Sequence, residues 1–131
     1  TLLQPMLSAA FYQAALHERT RAKATPQHAE LCELSVAINA ANPMYMCKAY
    51  YRQLQVPSVE ALRRVRASVL LLCGEADAVA PHAEAQELLE LLPASAMHVV
   101  PRTAHQLMQE DPLAVNEALA GFLQQLVTGS V

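Results

Sequence analysis

An aspartate and a histidine each follow an apolar run in the second half of this 131-residue chain. Asp77 comes shortly after the run 69–73, and His105 comes shortly after the run 97–100. A carboxylate that accepts the Nδ1–H of an imidazole fixes the tautomer, stabilises the imidazolium and leaves Nε2 free as a general base. These two residue types, in this order, therefore indicate an acid and a base for proton transfer.

Strand and helix patterns alternate around the two residues. The run 69–73 ends at Gly74 and predicts a parallel strand that is buried on both faces, and the run 97–100 predicts a second short strand. Amphipathic helices are predicted over 82–92 and after Asp111, a helix cap that precedes a proline. The order strand, helix, strand, helix is typical of a parallel crossover.

This arrangement predicts where the two chemical groups lie. Open α/β sheets bind their ligands at the edge formed by the carboxyl ends of the strands. Because Asp77 and His105 each follow a strand end, we expect them at that same edge. The last helix should present a buried apolar stripe made of Val115, Ala118, Leu119, Phe122, Leu123 and Leu126.

The first part of the chain has a different composition. Residues 1–57 contain no glycine and show only helix-like patterns. The sequence therefore divides into a helical segment, 1–57, and an alternating part, 58–131, which begins with a short helix capped by Ser58. In the helical segment, helices are predicted over 6–21, from Pro26 after the cap residue Thr25, and from Met44 until Pro57.

The motifs in the second part resemble the C-terminal third of α/β-hydrolase-fold enzymes. The matching residues are Gly74-Glu75-x-Asp77-x-x-x-Pro81, an amphipathic helix, and then His105 followed by Met108-x-Glu110-x-Pro112. The resemblance is good over about 62–122, and the helical segment more weakly resembles the cap or lid that is inserted before that region. The implied fold is an α/β fold: two parallel strands with flanking helices, preceded by a helical cap segment.

The resemblance also implies roles for individual residues. The family's triad runs in the order nucleophile, acid, histidine, and Asp77 and His105 match the last two members. The cap residues would shape an acyl or alkyl pocket. The chain departs from the family pattern at Ser68, where proline is frequent, and at Ala104, where glycine is usual. Alanine allows fewer backbone conformations than glycine does, but neither change removes a reacting atom.

The third triad member is not apparent in the sequence. The elbow G-x-S-x-G needs glycines around a strained turn, and the glycines of the chain are Gly74, Gly121 and Gly129. Cys73 lies within a strand run, so we expect its thiol to be packed in the core. The nucleophile and the oxyanion-hole donors are therefore expected outside this chain. The serines, none of which stands between glycines, are Ser8, Ser35, Ser58, Ser68, Ser95 and Ser130.

Two parallel strands alone do not make a stable sheet. We therefore interpret the chain, which begins at Thr1 without a methionine, as the C-terminal part of a domain of about 250 residues. It would need the N-terminal half of that domain as its partner, and by itself it should hydrolyse nothing.

The leading interpretation is a hydrolase that acts on an apolar ester or related acyl substrate through a Ser-Asp-His triad. Asp77 would orient the base, and His105 would deprotonate the serine and then activate water. Two alternatives stay open. An aspartate nucleophile, as in epoxide hydrolases and dehalogenases, would use the same fold. A member that has lost catalysis would serve as a binding or interaction module.

Simpler interpretations apply to several polar residues. Asp77 alone could form a turn after a strand, and His105 alone could be a loop histidine. Glu110 could support the His105 loop, but an exposed carboxylate near a helix start is the favoured interpretation. His28 and Cys32 stand four apart on a helix, but two ligands do not make a zinc site. We therefore predict no metal site and no cofactor.

The tyrosines and methionines of 44–51 could line a substrate channel, but helix packing is the commoner role of such a stripe.

Composition excludes several other classes of function. A net charge of -3 and a pI of about 5.9 argue against a nucleic-acid partner. No apolar run reaches the roughly 20 residues that span a bilayer, and no signal-peptide pattern opens the chain. The odd count of 3 cysteines favours reduced thiols and an intracellular rather than a secreted setting.

We expect the 131 residues on their own to fold marginally and to aggregate, because an open sheet edge offers unpaired backbone groups to other chains. Sedimentation velocity combined with thermal unfolding checks this expectation. A cooperative melt of a monomer would contradict it.

Overall fold

The computed structural model describes residues 3–129, with the side chains of 6–43 and 45–129. Ser130 and the side chain of Met44 lie outside this description. The helices and strands in chain order are α1 Leu3–Ala15, α2 Glu18–Arg21, α3 Pro26–Ala41, α4 Met44–Gln53, α5 Val59–Arg63, β1 Val69–Gly74, α6 His82–Leu91, β2 Ser95–Val100, α7 Leu107–Glu110 and α8 Pro112–Thr128.

The two strands form a parallel sheet with flanking helices, so the expected α/β class is confirmed. The register pairs Val69 with Ser95 and Gly74 with Val100, and β1 and β2 therefore end at the same edge. Helices α6 and α8 both contact the two strands. This register determines the site, because the loops that follow β1 and β2 leave the sheet side by side.

Three helix starts form as the sequence predicts. The hydroxyl of Thr25 accepts the N–H of His28 at 3.2 Å and so caps α3. Ser58 and Asp111 cap α5 and α8 through the same kind of side-chain contact, at 3.2 Å and 3.1 Å. Each side-chain oxygen satisfies a backbone N–H that has no partner within its helix.

The single helix predicted over 6–21 is wrong. Helix α1 ends at Ala15, and α2 begins after His17, whose backbone is extended with φ -61° and ψ 149°. The imidazole Nδ1 of His17 accepts the N–H of Arg19 at 3.0 Å, which starts the new helix. Likewise α4 ends at Gln53 rather than running to Pro57, in line with the tendency of helices to end before the residue that precedes a proline.

The buried apolar residues form two small clusters. One lies within the helical segment and consists of Leu16, Leu31 and Cys32, with Tyr12 packed against it. The other joins the sheet to the last two helices and consists of Val100, Leu107 and Val115, with Leu72 and Ala114 packed against it.

Burial is shallower than the sequence predicts. In β1 only Cys73 and Gly74 are buried, and the other four residues are half-buried. In α8 only Val115 of the predicted stripe is buried, and Leu123 is 58% exposed. The reason is geometric, because a two-stranded sheet has too little surface to cover a helix of 17 residues.

The stripe of α4 does not pack either. Tyr45, Tyr50 and Tyr51 are 71%, 63% and 72% exposed, so the predicted helix packing of this stripe is wrong. The rings of Tyr50 and Tyr51 contact each other edge to face at 5.5 Å. Separately, no helix within residues 3–129 is both long enough and apolar enough to cross a membrane.

Candidate active site

Three hydrogen bonds join the loop after β1 to the end of β2 and the loop that follows it. The N–H of Glu75 donates to the carbonyl of Val100 at 3.1 Å, and the N–H of Ala76 donates to the carbonyl of Thr103 at 2.9 Å. In return, the carboxylate of Glu75 accepts the N–H of Arg102 at 2.8 Å. The loop of Asp77 and the loop of His105 are therefore held against each other before either side chain is considered.

Gly74 permits this close approach. A Cβ at this position would lie 2.8 Å from the carbonyl carbon of Ala104 and 2.9 Å from the carbonyl oxygen of Thr103, and closer still to the oxygen of Ala104. Real Cβ atoms do not approach backbone atoms that closely. This chain therefore needs a glycine at position 74, because the second loop passes directly over this residue.

Asp77 uses its two carboxylate oxygens for two different tasks. Oδ1 accepts the N–H groups of Val79 and Ala80 at 2.8 Å and 2.9 Å, which is the turn that an aspartate forms with its own backbone. Oδ2 lies 3.0 Å from Nδ1 of His105. The turn therefore fixes the carboxylate in the orientation that reaches the imidazole.

The imidazole of His105 is half-exposed, whereas the carboxylate of Asp77 is buried, with 38% and 6% of the two side chains exposed. An ionised carboxylate can only accept hydrogen bonds, so Nδ1 carries the proton in this contact. Nε2 makes no hydrogen bond within residues 3–129. The ring of Phe11 in α1 meets the imidazole edge to face, with the ring centroids 6.1 Å apart.

The predicted meeting of Asp77 and His105 at the sheet edge is thereby confirmed. The contact has the form required for an oriented general base, with Nδ1 engaged and Nε2 available. The catalytic role of the two residues stays a prediction.

Ala104 is accommodated without strain. The residue of this loop that has a positive φ is Arg102, at 56°, and not Ala104. The N–H of Arg102 is held by Glu75. Ala104 is 1% exposed, so its methyl group is buried. Alanine in place of the family's usual glycine therefore leaves the His105 loop intact.

Glu110 was expected to be an exposed carboxylate, and this is wrong. It is 7% exposed. Its Oε1 accepts the N–H of His17 at 2.7 Å, and its Oε2 accepts the N–H of Ala104 at 2.6 Å. The less favoured alternative, that Glu110 supports the His105 loop, is the one that these contacts match, and its signal in the sequence is the position of Glu110 between His105 and Pro112. The contact with His17 cannot be predicted from the sequence around Glu110, because the partner stands 93 positions away.

Other candidate groups do not join the site. Cys73 is buried as predicted, and burial, assisted by the negative charge of Asp77, raises the pKa of its thiol, which disfavours the nucleophilic thiolate. The thiol of Cys32 donates to the carbonyl of Thr20 at 3.4 Å. In the part of the chain that the structure describes, no three His, Cys, Asp or Glu residues come together as metal ligands, and all three cysteines are unpaired.

Two cavities lie away from Asp77 and His105. One, of about 260 Å³, lies between the sheet and α8. The other, of about 280 Å³, lies between α1 and α3 and is bordered by Tyr12 and Cys32. Neither is lined by Asp77 or His105, so neither is the place where a substrate would meet them.

An aspartate and a histidine that meet beyond the ends of neighbouring parallel strands, in this chain order, are the arrangement of the α/β-hydrolase fold. The family model described as TAP-like protein matches residues 35–129. The chain therefore belongs to the α/β-hydrolase fold family.

A solved structure supports this assignment. The crystal structure of proline iminopeptidase from Mycobacterium smegmatis superposes with a TM-score of 0.61 at 25% sequence identity. The match covers 95% of this chain and 42% of that enzyme, so the chain spans less than half the length of the relative that it matches. No curated protein matches the sequence.

Replacing Gly74 by alanine should destabilise the protein by about 1–3 kcal/mol or more, because the new Cβ would force the His105 loop away from β1. Gly121→Ala is the matched control. Nothing lies within 4 Å of a Cβ at that helical position, and the change should stabilise α8 by roughly 0.5–1 kcal/mol. Chemical denaturation of the two variants in the full-length protein measures both effects. Equal stabilities would show that the loops do not need the close approach.

Proposed function

We propose that this chain is the C-terminal part of an α/β-fold hydrolase in which Asp77 and His105 are the acid and the base of a catalytic triad. The observation that carries the proposal is the 3.0 Å contact between Oδ2 of Asp77 and Nδ1 of His105. Within the proposal, residues 1–57 form a cap and residues 58–131 belong to the catalytic domain. The contact of Phe11 with the imidazole supports a cap that borders the site.

The chemistry follows from the two nitrogens of the imidazole. Asp77 holds the proton on Nδ1, so the lone pair of Nε2 can take the proton of a serine hydroxyl as the serine attacks an acyl carbon. The imidazolium then gives that proton to the leaving group. In the second half of the reaction Nε2 activates water against the acyl-enzyme. A positioned acid–base group of this kind contributes about 10²–10⁴-fold to the rate.

The substrate class has two candidates. The sequence favours an apolar ester, whereas the likeness to proline iminopeptidase favours a peptide bond next to proline. Both are acyl transfers, and they differ in the leaving group. An amine must be protonated to leave, so peptide hydrolysis depends on the imidazolium of His105 more strongly than hydrolysis of an activated ester does.

The alternatives make different predictions for a serine-directed probe. An aspartate nucleophile, as in epoxide hydrolases, would not react with a fluorophosphonate. A binding module without a nucleophile would neither react nor turn over substrate. The orientation of Asp77 by its own turn favours a catalytic member, because a binding role does not require an aligned acid and base.

In the full-length protein that contains these residues, a fluorophosphonate should label the nucleophile, and His105→Ala should reduce the labelling rate by about 10²-fold or more. His82→Ala, an exposed histidine at the start of α6, is the matched control and should label as the unchanged protein does. Unaltered labelling of the His105 variant would contradict the proposed base.

A comparison of two substrates identifies the substrate class. Turnover of a prolyl anilide and of a nitrophenyl ester is compared in the full-length protein. A preference for the anilide would establish a peptidase and would overturn the ester prediction.

A further inference from the structure

Glu110 connects two distant parts of the chain through a single carboxylate. Oε1 accepts the N–H of His17, in the turn between α1 and α2, at 2.7 Å. Oε2 accepts the N–H of Ala104, the residue before His105, at 2.6 Å. The side chain is 7% exposed, so water does not compete freely for either contact.

The other side of His105 is held by the same turn. The N–H of Gln106 donates to the carbonyl of Ala15 at 3.0 Å. The amide groups of Ala104 and Gln106 flank His105 in the chain, and both are therefore tied to residues 15–17. The amide of Gln106 makes this contact directly, whereas the amide of Ala104 makes it through Glu110.

The chemistry of the bridge requires a carboxylate. Ionised glutamate offers two acceptor oxygens and no donor, so it can serve two backbone N–H groups at once. Glutamine has the same shape but only one acceptor oxygen, and its NH₂ group would face one of the two donors. A buried N–H would then be left without a partner, which is unfavourable.

We infer that Glu110 is a positioning residue that makes the geometry of His105 depend on the turn at 15–17. It touches no reacting atom, and it acts on the base through the backbone of Ala104. A displacement of α1, which also carries Phe11 against the imidazole, is transmitted to His105 along this bridge. The catalytic consequence rests on the proposed function, whereas the structural link does not.

The primary experiment compares Glu110→Gln with Glu117→Gln in the full-length protein. Both variants lose one carboxylate, but Glu117 is exposed on α8, and within residues 3–129 its carboxylate makes no hydrogen bond to the His105 loop. Two readouts are taken. Proton–nitrogen correlation spectra of isotope-labelled histidine give the fraction of neutral His105 with the proton on Nδ1. Fluorophosphonate labelling gives a maximal inactivation rate and a half-saturating probe concentration.

Glu110→Gln should reduce the Nδ1–H fraction and lower the maximal inactivation rate roughly 10- to 100-fold, as displacement of a catalytic group does. The half-saturating concentration should change less, and Glu117→Gln should change neither readout. A folded Glu110→Gln protein with an unchanged His105 spectrum and an unchanged inactivation rate would overturn the inference.

A second pair of variants keeps the test decisive if Glu110→Gln does not fold. His17 has φ -61°, which matches the φ that proline adopts. His17→Pro therefore removes the N–H that Glu110 binds, whereas His17→Ala removes the same ring and keeps that N–H. We expect the His105 spectrum to change more in His17→Pro than in His17→Ala. Equal spectra in this pair would overturn the inference.

Each of the two proposals can be refuted independently of the other. If the unchanged protein does not react with fluorophosphonate, the serine-hydrolase mechanism is wrong. The histidine spectra still decide whether Glu110 positions His105, because they need no turnover.

Discussion

The close approach of the His105 loop to Gly74 is the constraint on which the rest of the site depends. The carbonyl of Ala104 passes where any side chain at position 74 would lie. This approach allows the backbone groups of Glu75 and Ala76 to pair with the second loop, and the paired loops bring Oδ2 of Asp77 to 3.0 Å from Nδ1 of His105. A shift of one loop by even a fraction of an ångström would weaken that contact, since hydrogen bonds depend steeply on distance and angle.

The helical segment takes part in the same site rather than standing apart from it. Ala15 and His17 hold the backbone on either side of His105, the latter through Glu110, and Phe11 contacts the imidazole ring. In the proposed hydrolase, a cap built in this way would do more than cover the substrate. It would set the position of the general base, so that substrate binding against α1 and proton transfer at Nε2 would be linked through a buried carboxylate that makes two hydrogen bonds.

Local features of the fold could be predicted because their causes are local. Thr25, Ser58 and Asp111 cap helices through backbone groups within three residues of themselves, and the apolar run before Gly74 forms a strand as expected. The failures involve distant partners. The interruption of the predicted helix at His17 and the burial of Glu110 are both associated with the hydrogen bond between these two residues, which are 93 positions apart. The exposure of α8 depends on how much sheet surface is available to cover it, and the helical pattern of its sequence carries no information about that surface.

Residue types and spacing were enough to predict that Asp77 and His105 meet, in that order and after two strands, because a parallel crossover dictates which loops share an edge. The folded chain was needed to show that Oδ1 of Asp77 closes a turn while Oδ2 faces His105. It was also needed to show that the buried carboxylate of Glu110 bridges Ala104 and His17. A carboxylate has two acceptor oxygens, and the packing of the chain decides which N–H groups lie within reach of each. Packing brings together residues that are far apart in the sequence.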